Sequence, residues 1–418
     1  MTRTSVLYVH NSALIGGGNK MLLALFDQLR DSEFRAVAVL PGPGPMEAEL
    51  RRRDVPFSIV DLEQALRGGR PSGLRSVFGL LRCMRRHEVR LVHGNGPMYY
   101  RYAGMAARCM GVPGICHVQL PASLEALRWA FKVPPGLAIT CSETLGRDVE
   151  RMLPRLGCRS AVVPIPNAVD VDRLTPPRDV GELRRRFGLD ETAVIVTIVG
   201  LVSERKGHPY FLQMARRVGA SCPDARFLVV GEDILTGGAY RRAMQAYAAE
   251  LGIAGRTQFL GFRDDAADLM AASDVIVLPS LQEGLPVALV EAHALGKPVV
   301  STRVDGIPEI VTDGVTGILV PPAESEALAD AVLSLVADQA LRRRMGDAGR
   351  ERVERLFSLQ AFTENVKAVY RRLLDGDRRS RRRDGADGPD ERGRGASALT
   401  GWLRTCAGLR GRRRVQPC

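Results

Sequence analysis

Residues Val275–Val300 read VIVLPSLQEGLPVALVEAHALGKPVV, and this stretch decides the fold class. Its first four residues, Val275–Leu278, form an apolar run typical of a buried strand, and Val299–Ser301 is a second run of that kind. Between them, Val287–Leu295 has the length and composition of a helix, and a loop with a glycine and a proline precedes it. This succession predicts a βαβ unit in a parallel sheet.

The same alternation of short β-rich runs with longer amphipathic stretches continues along the whole chain of 418 residues. It predicts an α/β protein with two doubly wound parallel sheets of similar size. The predicted strands are Val6–Val9, Ala36–Leu40, Phe57–Val60, Leu91–His93, Ile115–His117, Leu137–Thr140, Val162–Pro164, Val194–Val199, Arg226–Val230, Gln258–Leu260, Val275–Leu278, Val299–Ser301 and Gly317–Val320.

A proline-rich segment, Pro164–Gly188, separates the two series of strands and predicts a linker between domains. We expect an N-terminal Rossmann-like domain over residues 1–172 and a C-terminal one over residues 173–357. Parallel sheets bind ligands at the carboxyl ends of their strands, so a ligand is expected in the cleft between the domains. We expect residues 358–374 to form a helix. This helix either crosses back to the first domain or stays on the second.

The net charge of +12 is concentrated at the carboxyl end, because residues 371–418 carry 14 Arg and 6 acidic residues. The rest of the chain is nearly neutral and aromatic residues make up 5% of the whole, which argues against a nucleic-acid-binding protein. Residues 375–418 predict a basic, disordered tail. Near the end of this tail, Trp402 and its apolar neighbours lie beside arginines. Two interpretations fit this composition, a solvated tail without a partner or an interfacial helix on anionic lipid.

No apolar run reaches the ~18–20 residues needed to span a bilayer. We therefore expect a cytoplasmic protein, either free or peripheral on the inner face of the cell membrane. The eight cysteines show no spacing typical of a zinc site.

Between residues 66 and 87, apolar positions at helical spacing predict a helix that faces the core and has a solvated basic side. The alternative is that the basic side lies on an anionic membrane. The apolar positions are Leu74, Val77, Phe78, Leu81 and Met84.

Two segments have the residue types that bind phosphates. Gly16, Gly17 and Gly18 follow the first predicted strand and precede a helix, where the backbone can approach a phosphate closely. A plain loop is the alternative, since the spacing lacks the Gly-x-Gly-x-x-Gly fingerprint. Arg205 and Lys206 follow the strand that ends at Val199, and two adjacent cations could bind a diphosphate; a solvated loop is the alternative.

Two carboxylates, Glu283 in the loop and Glu291 in the helix, could accept hydrogen bonds from pairs of sugar hydroxyls. Their spacing, within Ser280–Glu291, resembles the Glu-x7-Glu signature of family 4 glycosyltransferases, which are retaining enzymes of the GT-B fold. Further segments resemble the donor domain of that family; they are Gly261–Phe262 before Asp264 and Asp265, Ala272–Asp274, Gly296–Val300 and Gly306–Ile310 before Gly314 and Gly317. In the first half, Cys116–His117 and Pro166–Asp170 also resemble family segments.

The resemblance implies a role for each matched residue. His117 would be the active-site histidine, with a satisfied structural histidine as the alternative. Gly16–Gly18 would line the diphosphate and acceptor side of the cleft, and Glu291 would hold the ribose. Glu283 would be the second catalytic residue and would hold the transferred sugar together with the backbone of Gly284 and Leu285. Pro286 and Val287, at the start of the helix, would also contact the donor. Many relatives have Arg where this chain has Leu201, so the diphosphate would rest on Lys206 with Arg205 as a substitute.

The resemblance predicts a retaining glycosyltransferase that moves a sugar from a nucleoside diphosphate sugar to a glycan or lipid-linked acceptor, in cell-envelope glycan, polysaccharide or glycolipid synthesis. No metal and no cofactor beyond the nucleotide sugar substrate are expected. Two alternatives remain open at this point, a nucleotide-sugar epimerase of the same fold and an inactive sugar-binding protein.

Overall fold

The computed structural model describes residues 3–10, 13, 17–62, 70–176 and 179–384. Within these residues the strands are β1 Thr4–Val9, β2 Phe34–Leu40, β3 Phe57–Ile59, β4 Val89–Asn95, β5 Gly114–Val118, β6 Leu137–Thr140, β7 Ala161–Pro164, β8 Ile195–Val199, β9 Arg226–Val230, β10 Thr257–Gly261, β11 Val275–Leu278, β12 Val299–Thr302 and β13 Gly317–Val320. All the predicted strands are present.

The α-helices of the described residues are α1 Gly17–Leu29, α2 Met46–Arg52, α3 Arg70–Arg86, α4 Pro97–Met110, α5 Leu124–Ala130, α6 Glu143–Met152, α7 Val180–Arg186, α8 His208–Ser221, α9 Ala239–Glu250, α10 Ala266–Ala272, α11 Val287–Ala294, α12 Ile307–Ile310, α13 Ser325–Ala337, α14 Gln339–Leu356 and α15 Leu359–Asp384.

The strands form two parallel sheets, and the predicted α/β class with two doubly wound sheets is confirmed. The first sheet has the order β3-β2-β1-β4-β5-β6-β7, and the second has the order β10-β9-β8-β11-β12-β13. In each sheet the chain winds outward in both directions from the first strand. The order therefore reverses between β1 and β4 and between β8 and β11, the points at which such sheets bind ligands.

Strand β1 shows why these strands read as continuous apolar runs. Its residues Val6 and Tyr8 pack with α1, α2 and α15 on one face of the sheet, whereas Leu7 and Val9 pack with α3 and α4 on the other. Successive side chains of a strand point to opposite faces, so a strand covered by helices on both faces must be apolar throughout.

The chain crosses between the domains twice, at adjacent points. The Val169 amide donates to the Phe357 carbonyl at 3.1 Å, and the Leu359 amide donates to the Val169 carbonyl at 3.1 Å. After the second crossing, α15 packs on the first domain, where Phe362, Val366 and Tyr370 are buried.

Helix α15 extends to Asp384, so the disorder predicted from residue 375 onward is wrong for residues 375–384. The added stretch contains several Arg residues, which favour helix, and propagation from a helix already anchored in a core costs little. Residues 385–418, which include Trp402, lie outside the described part of the chain.

Helix α3 confirms the predicted helix but corrects one of its residues. Val77, Leu81 and Met84 are buried as expected, whereas Phe78 is 58% exposed and shares the solvent side with Arg75 and Arg82. Phe78 lies beside Val77 along the chain, and the helical rotation of about 100° per residue turns it off the buried stripe. Within the described residues, none of the helices combines the length and the apolar character needed to cross a membrane.

Candidate active site

The predicted donor-binding residues of the second domain meet at the reversal point of its sheet. Arg205 and Lys206 lie in a short 3-10 turn after β8, and Glu283 lies in the loop after the neighbouring strand β11. The Lys206 Nζ is 2.5 Å from Glu283 Oε1, and the Arg205 Nη1 is 3.1 Å from Glu283 Oε2. We call these three residues the charge cluster.

Glu283 is buried, and both of its carboxylate oxygens have hydrogen-bond partners. Besides the two cations, its Oε1 accepts a hydrogen bond from the Ser280 hydroxyl at 2.8 Å, and its amide donates to Asp305 Oδ2 at 2.7 Å. Burial by itself would raise the pKa of Glu283, but the charges of Lys206 and Arg205 outweigh it and the pKa is lowered. Glu283 is therefore a carboxylate at neutral pH.

A close backbone approach fixes the position of the cationic turn. Gly207 ends the turn with φ of 71°, and a Cβ built there would lie 1.9 Å from the Pro279 carbonyl at the end of β11. Only glycine allows the turn to lie against that strand. Arg205 donates through Nη1 to the Gln282 carbonyl and to Glu283 Oε2, which ties the turn to the loop after β11.

The segment that precedes α11 is a contact between the domains. A Cβ on Gly284 would lie 1.9 Å from the Gln119 carbonyl and 2.7 Å from Cys141 Sγ, both in the first domain. The next residue, Leu285, accepts a hydrogen bond from the Asn167 side chain at 2.9 Å. Pro286 is the N-cap of α11 and Val287 is its first residue. The start of α11 thus lies at the interdomain cleft.

Glu291 lies one turn into α11 and is partly buried. Burial raises its pKa, and the charge of Lys20 in α1 acts in the opposite direction. The glycine segment at the start of α1 is close to the same region, because a Cβ on Gly18 would lie 2.6 Å from Gln119 Oε1. Gly17 is the first residue of α1. Gly16 lies outside the described residues.

His117 is wholly buried near the carboxyl end of β5. Its Nδ1 is 3.3 Å from His93 Nε2, and its Nε2 has no hydrogen-bond partner within the described part of the chain. Burial lowers the pKa of His117 to about 4 and holds the pKa of His93 well below its ordinary value, so both imidazoles are neutral at pH 7.

Four residues near the site were not predicted from the sequence as site residues. The Gln119 side-chain amide donates to Asn95 Oδ1 at 2.6 Å. Gln119 directly follows β5 and Asn95 is the last residue of β4, and this position at the carboxyl ends of strands was a signal for both. Asp305, which accepts from the Glu283 amide, and Tyr370, which contacts His93, had no local signal. Among the described residues, no group of three or more His, Cys, Asp or Glu could hold a metal ion.

Two Rossmann-like domains that meet at the carboxyl ends of their parallel strands define the GT-B class of fold. HepE of Anabaena, solved with UDP-glucose, superposes with a TM-score of 0.77, at 22% identity over 89% of this chain and all of that chain. Sucrose-phosphate synthase of Thermosynechococcus elongatus superposes with a TM-score of 0.76, at 22% identity over 90% of this chain and all of that chain.

The sequence itself identifies the family. Residues 179–352 match the glycosyl transferases of group 1, and residues 16–161 match the glycosyl transferase 4-like domain. This chain belongs to the group 1 glycosyltransferases, and the predicted glycosyltransferase class is confirmed.

Two curated relatives align with most of this chain. A UDP-Gal:alpha-D-GlcNAc-diphosphoundecaprenol alpha-1,3-galactosyltransferase of Escherichia coli is 23% identical over 88% of this chain and 97% of its own length. A 2-deoxystreptamine glucosyltransferase of Streptomyces kanamyceticus is 29% identical over 84% of this chain and 92% of its own length.

Proposed function

We propose that this glycosyltransferase moves a sugar from a nucleoside diphosphate sugar to an acceptor hydroxyl with retention of the anomeric configuration. The charge cluster of Arg205, Lys206 and Glu283 carries the proposal. Two cations suit a diphosphate and a carboxylate suits sugar hydroxyls, and all three side chains meet at the reversal point of one sheet.

In the proposed reaction, the bond between the anomeric carbon and the diphosphate oxygen breaks, and its electron pair leaves with the diphosphate. The acceptor oxygen forms a bond to the anomeric carbon on the same face. The acceptor proton passes to the leaving phosphate oxygen, so no protein base is required. Lys206, Arg205 and the start of α11 stabilise the negative charge that develops on the diphosphate.

The remaining predicted residues have binding roles in this proposal. Glu291 accepts hydrogen bonds from the ribose hydroxyls, and Glu283 with the backbone of Gly284 and Leu285 binds the transferred sugar. His117 binds the sugar from the first domain. The glycines at the start of α1 line the diphosphate and acceptor side. The reaction uses no bound metal, because cations and helix dipoles neutralise the leaving group.

The identity of the substrates is the finer part of the proposal. We propose a UDP-sugar as donor and a lipid-linked glycan as acceptor, in envelope glycan synthesis. The name of the Escherichia coli relative, which aligns over 97% of its length, supports both choices, and the UDP-glucose complex of HepE supports the donor.

The test is turnover of the purified chain with UDP-, GDP- and ADP-sugars, with and without membrane lipid extract, followed by release of nucleoside diphosphate. We expect release from a UDP-sugar that increases with extract and is lost in Glu283→Ala. The matched control is Glu351→Ala, at an exposed position of α14. An inverted anomer in the product refutes retention. Rearranged sugar without diphosphate release refutes transfer and indicates an epimerase, and binding without turnover indicates an inactive sugar-binding protein.

We further propose peripheral contact with the anionic inner face of the cell membrane. The support is the exposed face of α3, where Phe78 lies among Arg75, Arg82 and Arg85, together with the basic composition of residues 371–418. An apolar ring flanked by cations suits an anionic lipid surface.

Sedimentation with vesicles tests the membrane contact. We expect binding to vesicles that contain phosphatidylglycerol, little binding to phosphatidylcholine, and a loss of binding in Phe78→Ser with Arg82→Glu. The control is the double variant Arg343→Glu with Arg344→Glu on the exposed side of α14. Equal loss in both variants would show a general charge effect and contradict the proposal for α3.

A further inference from the structure

Four wholly buried side chains form one hydrogen-bonded chain that ends at His117. The Tyr8 and Tyr370 hydroxyl oxygens are 2.8 Å apart, the Tyr370 oxygen is 2.6 Å from His93 Nδ1, and His93 Nε2 is 3.3 Å from His117 Nδ1. Three members belong to neighbouring strands of the first sheet, and Tyr370 belongs to α15. The last helix therefore reaches the candidate site through its phenol group.

Because each neutral imidazole carries one proton, these contacts can all be hydrogen bonds in two directions, or in a mixed arrangement in which the Tyr370 oxygen accepts from both Tyr8 and His93 Nδ1. The mixed arrangement leaves the Tyr370 proton without an acceptor among the described residues, and a buried donor without an acceptor is costly. In the first direction Tyr8 donates to Tyr370, Tyr370 donates to His93 Nδ1, and His93 Nε2 donates to His117 Nδ1. The His117 proton then lies on Nε2. In the second direction every donor becomes an acceptor, and the His117 proton lies on Nδ1.

The two directions differ at the far end of the chain. In the second direction the Tyr8 hydroxyl only accepts, and its own proton has no acceptor, since Tyr370 is the one hydrogen-bond partner of that hydroxyl among the described residues. A buried donor without an acceptor is costly. In the first direction Tyr8, Tyr370 and His93 each donate to an acceptor. The one donor left without a partner among the described residues is His117 Nε2–H, at the end that belongs to the candidate site, where a bound ligand can accept its hydrogen bond.

We infer that Tyr370 and His93 are positioning residues that hold the His117 proton on Nε2, so that this nitrogen donates a hydrogen bond to an oxygen of the transferred sugar. The choice of tautomer follows from the hydrogen-bonded chain together with an acceptor that a ligand brings to Nε2, because only the donor at the site end can be given a partner by a ligand. The sugar as recipient rests on the proposed function.

Nitrogen NMR of protein labelled with ¹⁵N-histidine tests the tautomer without any turnover. The two ring nitrogens of a neutral imidazole give separate signals for the protonated and the unprotonated atom, and His93→Gln and His117→Asn assign them. We expect a protonated Nε2 on both His93 and His117 at pH 7. A protonated Nδ1 on His117 overturns the inference.

Kinetics of matched variants test the positioning role. His93→Phe keeps an aromatic ring but removes the donor to His117, and we expect kcat/KM to fall by about 10- to 100-fold, the loss seen when the hydrogen-bond partners of metal-binding histidines are removed. His93→Gln places an amide near the position of Nε2 and is expected to recover most of that loss. A Gln variant no better than the Phe variant overturns the positioning role, since a purely structural role would not distinguish donors.

Tyr370→Phe is the second variant if changes at His93 prevent folding. It removes the donor to His93 Nδ1 while it keeps the packing of α15, and we expect the His93 and His117 signals to move toward a mixture of tautomers. Tyr100→Phe, which removes another buried phenol hydroxyl of the same domain, is the control and should leave the signals unchanged. Unchanged signals in Tyr370→Phe overturn the inference. Absence of turnover with every donor, with the expected tautomers present, contradicts the proposed function alone.

Discussion

Gly284→Ala adds a single methyl group at the contact between the domains, and its effect can be worked out from the structure. The new Cβ would lie 1.9 Å from the Gln119 carbonyl, whereas ordinary contact begins near 3.4 Å. The loop before α11 and the end of β5 must therefore move apart by about 1.5 Å. A displacement of 1 Å between catalytic groups can lower a rate by about 100-fold.

We therefore expect kcat/KM for sugar transfer to fall by the order of 100-fold in Gly284→Ala. The overpacking cost of about 1–3 kcal/mol can be relieved by opening the contact between domains, so the hydrophobic cores remain intact. The melting temperature is expected to change little. Release of nucleoside diphosphate gives the rate, and thermal unfolding monitored by circular dichroism gives the stability.

Gly255→Ala is the matched control, because a Cβ at Gly255, in the same domain, meets nothing within 4 Å. It should leave the rate and the melting temperature unchanged. A Gly284→Ala variant with the rate of the unmodified chain would refute the reasoning, since it would mean that catalysis does not need this close contact. A variant that unfolds at a much lower temperature would show that the contact serves stability instead.

Three further predictions follow from other contacts. Glu309 accepts hydrogen bonds from the Glu143 and Thr144 amides at the start of α6, at 2.9 and 2.8 Å. Glu309→Ala should destabilise this contact between the domains by about 1–2 kcal/mol and accelerate hydrogen exchange of both amides. Unchanged exchange would contradict this prediction. Burial lowers the pKa of four histidines to about 4, so below pH 6.5 each binds a proton when the protein unfolds. The free energy of unfolding should therefore be constant above pH 6.5 and should fall toward pH 4 by about 1.4 kcal/mol per pH unit for each histidine. Urea denaturation at a series of pH values measures this, and a flat profile would contradict it. The four are His10, His117, His208 and His293. Turnover should survive removal of divalent cations with EDTA, and a loss that Mg²⁺ restores would contradict the metal-free reaction.

Local sequence patterns accounted for the fold because their causes are local. An apolar run such as Val275–Leu278 is apolar because both faces of its strand are covered, and the loop and helix that follow it have their own composition. Lys206 and Glu283 could be chosen as candidates on the same grounds, since each follows a predicted strand of the same domain. Their 2.5 Å contact could not be predicted, because it depends on β8 and β11 being neighbours.

The exposure of Phe78 and the contact of Tyr370 could not be predicted from local sequence patterns. The spacing of apolar residues placed Phe78 on the buried face of α3, but adjacent positions of a helix point about 100° apart, and Val77 is buried where Phe78 is exposed. Tyr370 reads as an ordinary core residue of a C-terminal helix. Its contact with His93 joins residues 277 positions apart, and no periodicity extends over that distance.

The amino-acid sequence by itself determined the α/β class, the strands of the described residues, the two-domain order and the choice of candidate residues. Burial on both sheet faces, turn chemistry and residue type are properties of short segments, so they can be predicted locally. Only the tertiary structure decided which of these residues touch. The pairing of Lys206 with Glu283, the fit of Gly284 against Gln119 and the return of α15 to His93 arise from strand order and domain contact. Such contacts join segments that are distant along the chain, so they depend on how the strands and domains are arranged and cannot be predicted from a short stretch of sequence.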